Sequence, residues 1–338
     1  MTQAVTPALR EGFDVLLLDL DGTVYQGLAA IPGAQEALAA GDQRQLYVTN
    51  NASRSPAEVA DHLRDLGFAA ADQDVVTSSQ SAARLLAEKL DPGAVVLVVG
   101  TDALAAEVEH VGLRPVRRFE DAPVAVVQGH SPETGWAILA EATLAIRAGA
   151  LWIAANVDST LPTERGLVLG NGSMVAALRS ATGREPIVAG KPAAPLMEDA
   201  LRRADAARPL VVGDRLDTDI AGANAVGAPS LLVLTGVSTT ADLLRADEMH
   251  RPTYVAESLD ALNRPAAASA VVCHPGWRVE FVAGDLVVHS DEPGTAKDSA
   301  GRAGAFLSVL DAAWRHPEFV RVRGADDGAR AALSFLVG

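Results

Sequence analysis

Only one cysteine, Cys273, occurs in the chain, so no internal disulfide can staple the fold, and a reducing, cytoplasmic setting is the simplest expectation. Aromatic residues make up 4% of the composition, so the core must be built mainly from Ala, Val and Leu. Lysine is almost missing: Lys89, Lys191 and Lys297 are the full set, and arginine supplies the other basic charge. No apolar run approaches the roughly 18 residues of a spanning helix, and Arg10, Glu11 and Asp14 interrupt any leader-like opening. The formal charge of −15 argues against nucleic acid or an anionic membrane as partner. An acidic chain that takes an anionic small molecule needs a local positive centre, such as a metal ion or a placed lysine.

Hydrophobic residues at 49% of 338 suffice for a large core, and the length fits two domains or slightly more at roughly 100–200 residues each. Residues 15–18 are an uninterrupted apolar run, read as a parallel strand buried on both faces. It delivers Asp19 and Asp21 into a turn at Gly22-Thr23, where open α/β sheets bind ligands. Two carboxylates that close repel unless a cation or proton intervenes. Strand and helix signals alternate from there on, which implies a parallel sheet covered by helices. Ser55-Pro56 reads as a helix cap and first turn. Residues 156–172 read as a long polar loop, with Ser173 capping the next helix, 263–270 as a linker, and 270–273, 278–283 and 285–289 as strands before a helix at 300–314. Cys273 reads as a small core residue rather than a nucleophile.

Four strand ends carry the chemistry in one order: Asp19-x-Asp21-Gly22-Thr23, Thr49-Asn50, Gly190-Lys191-Pro192, and Gly213-Asp214 with Asp217 and Asp219. With these, the chain resembles the haloacid dehalogenase-like phosphatases, in the branch of NagD, pyridoxal phosphatase and the phosphoglycolate and glycerol-phosphate phosphatases. The resemblance covers about residues 10–262. It implies an α/β fold: a Rossmann-like parallel-sheet core at 1–80 and 186–262, a large α/β cap at 81–185, and a small α+β extension at 268–338.

The resemblance also implies roles. Asp19 is the expected nucleophile and Asp21 the acid and base. Thr49 and Lys191 hold phosphoryl oxygens, and Mg²⁺ binds Asp19, the Asp21 carbonyl and Asp214. Asp219 orients a metal-bound water, while Asp217 is equally well a surface or helix-capping acid. Gly22, Asn50 and the cap-loop residues Asp158, Leu161 and Pro162 are expected at the substrate. Leu161 stands where pyridoxal phosphatases carry His, which favours a small aliphatic phosphomonoester such as glycerol 3-phosphate or 2-phosphoglycolate. Phosphoryl transfer to another acceptor, as in a mutase, and a non-catalytic metabolite-binding regulator acting through the tail are the alternative functions. For the tail itself the plain expectation is a packing or oligomer-forming module, with a homodimer as its simplest product.

Overall fold

A computed structural model of the chain describes residues 6–163, 165–291 and 298–334. It divides into two compact units, one of residues 1–26, 30–44 and 206–338, the other of residues 27–29 and 45–205.

In the first unit, Val15–Leu18 runs parallel beside Pro209–Gly213, which pairs with Ser230–Val233 and that in turn with Tyr254–Ala256. The first three are buried almost throughout, as strands covered on both faces must be. Parallel pairing sends every one of these strands to the same carboxyl edge. The pairing of Leu18 with Val212 therefore fixes where the residues that follow each must emerge.

The carboxyl-terminal stretch belongs to this unit. Trp277–Val282 and Asp285–Ser290 form a hairpin, and Arg321–Gly324 adds in parallel to its second strand. The helix Ser299–Arg315 is apolar nearly all round, the signature of a helix buried on more than one side. Ala305, Val309 and Ala312 pack with Trp277, Leu286 and Val288. Phe306, Leu307 and Leu310 pack with Leu232, Leu243 and Val255. This helix ties the tail's sheet to the parallel sheet through a continuous apolar contact.

Several expectations need correction here. No strand forms at 270–273; Ala270 makes only an isolated bridge to Tyr254, and Cys273 is exposed rather than in the core. The stretch read as a linker, 263–270, begins on the last residue of the 3₁₀ turn Leu259–Asn263 and contains a second one, Ala266–Ala268. Arg321–Gly324 was not foreseen, because alternate arginines hide its apolar half.

In the second unit, Tyr47, Val48 and Thr49, at the end of the strand Arg44–Thr49, pair in parallel with Val75–Thr77. A five-stranded parallel sheet runs in the order Ile187–Val188, Leu151–Ala154, Ala125–Gln128, Val95–Val99, Arg114–Val116. Its two faces are covered by separate apolar clusters, one around Leu86, Val98 and Ile153, the other around Val126, Ile146 and Trp152. Ser55 caps the helix Pro56–Asp65 as expected, accepting from the Glu58 N–H in a reciprocal capping box. The stretch 156–172 is not a featureless loop: Thr160–Thr163 and Gly166–Leu169 form an antiparallel hairpin. Ser173 lies inside the helix Asn171–Thr182 rather than at its cap, and its hydroxyl donates to the Ser159 carbonyl at 2.7 Å.

Candidate active site

The first unit gathers acids. Asp19 leaves the end of Val15–Leu18 with its N–H donating to the Val212 carbonyl at 2.8 Å, which sets it beside the next strand's end. There Asp214 follows Gly213 and is fully buried, 0% exposed. Asp219 arrives on the π-helical turn Leu216–Ile220, where its Oδ2 accepts from the Arg215 N–H at 3.1 Å. Asp19, Asp214 and Asp219 each bring a carboxylate oxygen within 4.8 Å of the others. Three hard oxygen donors at that spacing suit a divalent cation such as Mg²⁺, and their mutual repulsion calls for one. Asp19 and Asp214, two of the side chains expected at the cation, thus lie together, with the Asp219 carboxylate beside them.

Two glycines make this packing feasible. Gly22 takes φ +86°, and a Cβ there would lie 2.6 Å from Asp214 Oδ2. A Cβ on Gly213 would overlap the Asp219 carboxylate. Gly22 also donates to the Tyr25 carbonyl at 2.8 Å, closing a tight turn that leaves Asp21 exposed. Asp217 is exposed and forked onto Arg215, 3.0 Å to Nε and 2.7 Å to Nη2. That hydrogen-bonded guanidinium holds its carboxyl below the usual range, as befits a surface ion pair.

The second unit gathers donors and amides. Thr49 is buried at the end of its strand, its Oγ1 accepting from the Asn51 N–H at 3.1 Å. Lys191 is 2% exposed, and its ammonium donates to the Val48 carbonyl at 3.0 Å. Asn50 is a junction: its Oδ1 accepts from the Lys191 N–H at 2.8 Å, and its Nδ2 donates to the Lys191 carbonyl at 3.0 Å. The same Nδ2 lies 3.2 Å from Asp158 Oδ2, and the Asn50 carbonyl accepts from Asn156 Nδ2 at 2.7 Å. Asn171 then donates to the Asn156 carbonyl at 2.7 Å. Thr49, Asn50, Asp158 and Lys191 are therefore brought together, with Asn156 and Asn171 as support that sequence reasoning missed. Leu161 is half-buried in the hairpin. Pro162 pairs by its backbone with Leu167, and its side chain lies outside the described residues.

A loop outside the four motifs also borders the acids. Residues 235–238, Thr-Gly-Val-Ser, follow Ser230–Val233, and the Val237 N–H donates to Asp214 Oδ2 at 2.6 Å. Its signal was available: an apolar parallel strand ending in Thr-Gly obeys the same grammar as the four motifs.

Residues 16–114 match the family model described as haloacid dehalogenase-like hydrolase, and residues 188–262 match the HAD-hydrolase-like model. The D-glycerol 3-phosphate phosphatase of Mycobacterium tuberculosis is 55% identical over 333 residues, covering 96% of this chain and 94% of that protein. The chain belongs to the haloacid dehalogenase-like hydrolases. A crystal structure of glycerol phosphate phosphatase from the same organism in complex with magnesium superposes with a TM-score of 0.93 at 55% identity, covering 98% of both chains. The 5'-nucleotidase YutF of Bacillus subtilis is 39% identical, covering 72% of this chain and 94% of that protein. The fold of this family member is accordingly a Rossmann-like parallel-sheet core with a large α/β cap and a small carboxyl-terminal α+β extension. Among the described residues no helix is long and apolar enough to cross a membrane.

Proposed function

We propose that the chain is a Mg²⁺-dependent phosphatase of small phosphomonoesters, with glycerol 3-phosphate as its preferred substrate, working through an aspartyl-phosphate. The observation that carries this reading is the cluster of Asp19, Asp214 and Asp219 within 4.8 Å at the ends of parallel strands. The substrate assignment is supported by the 55% identical relative, a D-glycerol 3-phosphate phosphatase. The working parts are a core of residues 1–80 and 186–262 and a cap of residues 81–185.

An Asp19 carboxylate oxygen attacks phosphorus, and the P–O bond to glycerol breaks. The Asp21 carboxyl, exposed and two residues on, gives its proton to the departing alkoxide. In the second half, Asp21 as carboxylate takes a proton from water, whose oxygen attacks the phosphoaspartate and frees inorganic phosphate and Asp19. Asp19, the Asp21 carbonyl and Asp214 would hold Mg²⁺, whose charge would offset that of carboxylate against phosphate dianion. Asp219 steadies the water in that cation's shell. Lys191 and Thr49 hold the phosphoryl oxygens, and buried donors count for more there than in water. Gly22 and Asn50 border the phosphate, while Asp158, Leu161 and Pro162 shape the alcohol's side. The carboxylate of Asp158, steadied by Asn50, suits a polyol because it accepts hydrogen bonds from hydroxyls.

The test is phosphate release, with Mg²⁺, from glycerol 3-phosphate, 2-phosphoglycolate, pyridoxal phosphate, a nucleoside monophosphate and p-nitrophenyl phosphate. Glycerol 3-phosphate should show the highest kcat/KM. A higher value on another ester overturns the substrate assignment, and no release from any of them overturns the phosphatase.

A further inference from the structure

We infer that residues 235–238 form a strap that positions the acid cluster for its cation, with the Thr235 hydroxyl and the missing Cβ of Gly236 as the features on which this depends. The inference rests on the Mg²⁺-dependent reading above. Ser230–Val233 pairs in parallel with Pro209–Gly213, so the chain that leaves it must pass the same edge as Asp214. It does so with four directed contacts. The Val237 N–H donates to Asp214 Oδ2 at 2.6 Å, and the Ser238 N–H donates to the Asp214 carbonyl at 3.1 Å. Ser238 Oγ accepts from the Leu216 N–H at 2.9 Å, which ties the strap to the turn carrying Asp219. Thr235 Oγ1 donates to the Gly22 carbonyl at 2.5 Å, which ties it to the turn carrying Asp21.

These contacts reach all three chain segments that supply acids. An amide donor on one oxygen of Asp214 fixes the plane of the carboxylate, and plane and distance are what a rigid octahedral ion selects. The Thr235 hydroxyl fixes Gly22, whose turn sets the direction of the neighbouring Asp21 carbonyl. Gly236 is needed for closeness, since a Cβ there would overlap Asp214 Oδ2. The strap is also a lid on the acid: Gly236 and Val237 are exposed while Asp214 beneath them is fully buried. A contact of this kind acts through the ligands rather than on the substrate. Residues supporting metal ligands typically change affinity or activity by about 10–100-fold when removed.

The experiment is calorimetric titration of the full chain with MgCl₂ in the absence of substrate, paired with kcat measured across a Mg²⁺ series. Thr235→Val should weaken Mg²⁺ binding by about tenfold or more, with much of its kcat recovered at high Mg²⁺. Thr235→Ser, which keeps the hydroxyl, should bind as the wild type does. Gly236→Ala approaches the same cluster from the Asp214 side and should also weaken binding, and it decides the matter if Thr235→Val does not fold. Wild-type Mg²⁺ affinity in Thr235→Val, or a loss in Thr235→Ser equal to that in Thr235→Val, overturns the strap. A wild type that binds no Mg²⁺, or binds it equally well after Asp214→Asn, sinks the metal reading instead.

Discussion

Two clusters of polar side chains lie at strand ends, one in each compact unit, and they follow opposite electrostatic plans. In the first, Asp19, Asp214 and Asp219 crowd like charges within 4.8 Å, an arrangement that a cation must complete. In the second, Lys191, Asn50, Asp158, Asn156 and Asn171 form a chain of donors matched to acceptors within the unit itself. The first holds its charges close because glycines 22, 213 and 236 leave room for them. The second buries a lysine at 2% exposure, with the Val48 carbonyl receiving its ammonium. The difference is instructive: an incomplete cluster marks chemistry more sharply than a satisfied one, which serves equally well as architecture.

The harshest trial of the first cluster is Asp19→Asn. Loss of the nucleophile should cut phosphate release by about 10⁴-fold or more, with the circular dichroism spectrum unchanged. Wild-type turnover in that variant would end the aspartyl-phosphate mechanism. Next comes Lys191→Met, which asks whether the second cluster is chemical as well as structural. Its kcat/KM should fall by about 10²–10³-fold. A lower melting temperature with full activity would make the cluster mere scaffolding.

Asn50→Ala probes the same network more gently. It strands the backbone of Lys191 and the carboxylate of Asp158, and chemical denaturation should show about 1–3 kcal/mol of lost stability. KM should rise more than kcat falls, since Asp158 loses its anchor; an unchanged KM would detach that residue from the substrate.

The smallest effect belongs to an ordinary structural acid that supplies a scale. Asp326 caps the helix Asp327–Ala332 and accepts from Ser290 Oγ at 2.6 Å and the Ala329 N–H at 2.8 Å. The Ser290 hydrogen bond, with that amide, holds its carboxyl down at about 2. Because the folded value lies below the unfolded one of about 3.9, its contribution is full above that pH and lost as pH falls toward 2. Asp326→Ala should cost about 1 kcal/mol near neutrality. Its gap in melting temperature from the wild type should close between pH 4 and pH 2; a gap independent of pH would contradict the linkage.

Much of this was legible beforehand wherever the signal is local. The run Val15-Leu16-Leu17-Leu18 announces a buried strand, and a polar residue directly after such a run must emerge at its carboxyl edge. Asp19, Thr49 and Asp214 stand out that way, and Ser55 by the proline that follows it at the first helical position. Elements without a local signature were not. Arg321–Gly324 is a strand because Asp285–Ser290 offers it an edge, and its arginines pair with Asp285. The hairpin at 160–169 contains a proline, which weakens any strand reading. The 270–273 run looked like a strand yet found only a single bridge, since apolar composition does not create a partner.

Sequence alone marked the residues proposed for the chemistry, because Asp19, Thr49, Lys191 and Asp214 each stand at or just past the end of an apolar strand. Only the tertiary structure decided what surrounds them. The register of Leu18 with Val212 brings Asp19 to Asp214, and the path of residues 235–238 closes over that acid. Asn50 meets Lys191 and Asp158 across 141 and 108 residues of chain. The physical reason is range: strand, turn and cap preferences act over a few residues, whereas hydrogen bonds between distant segments exist only once packing has brought them together.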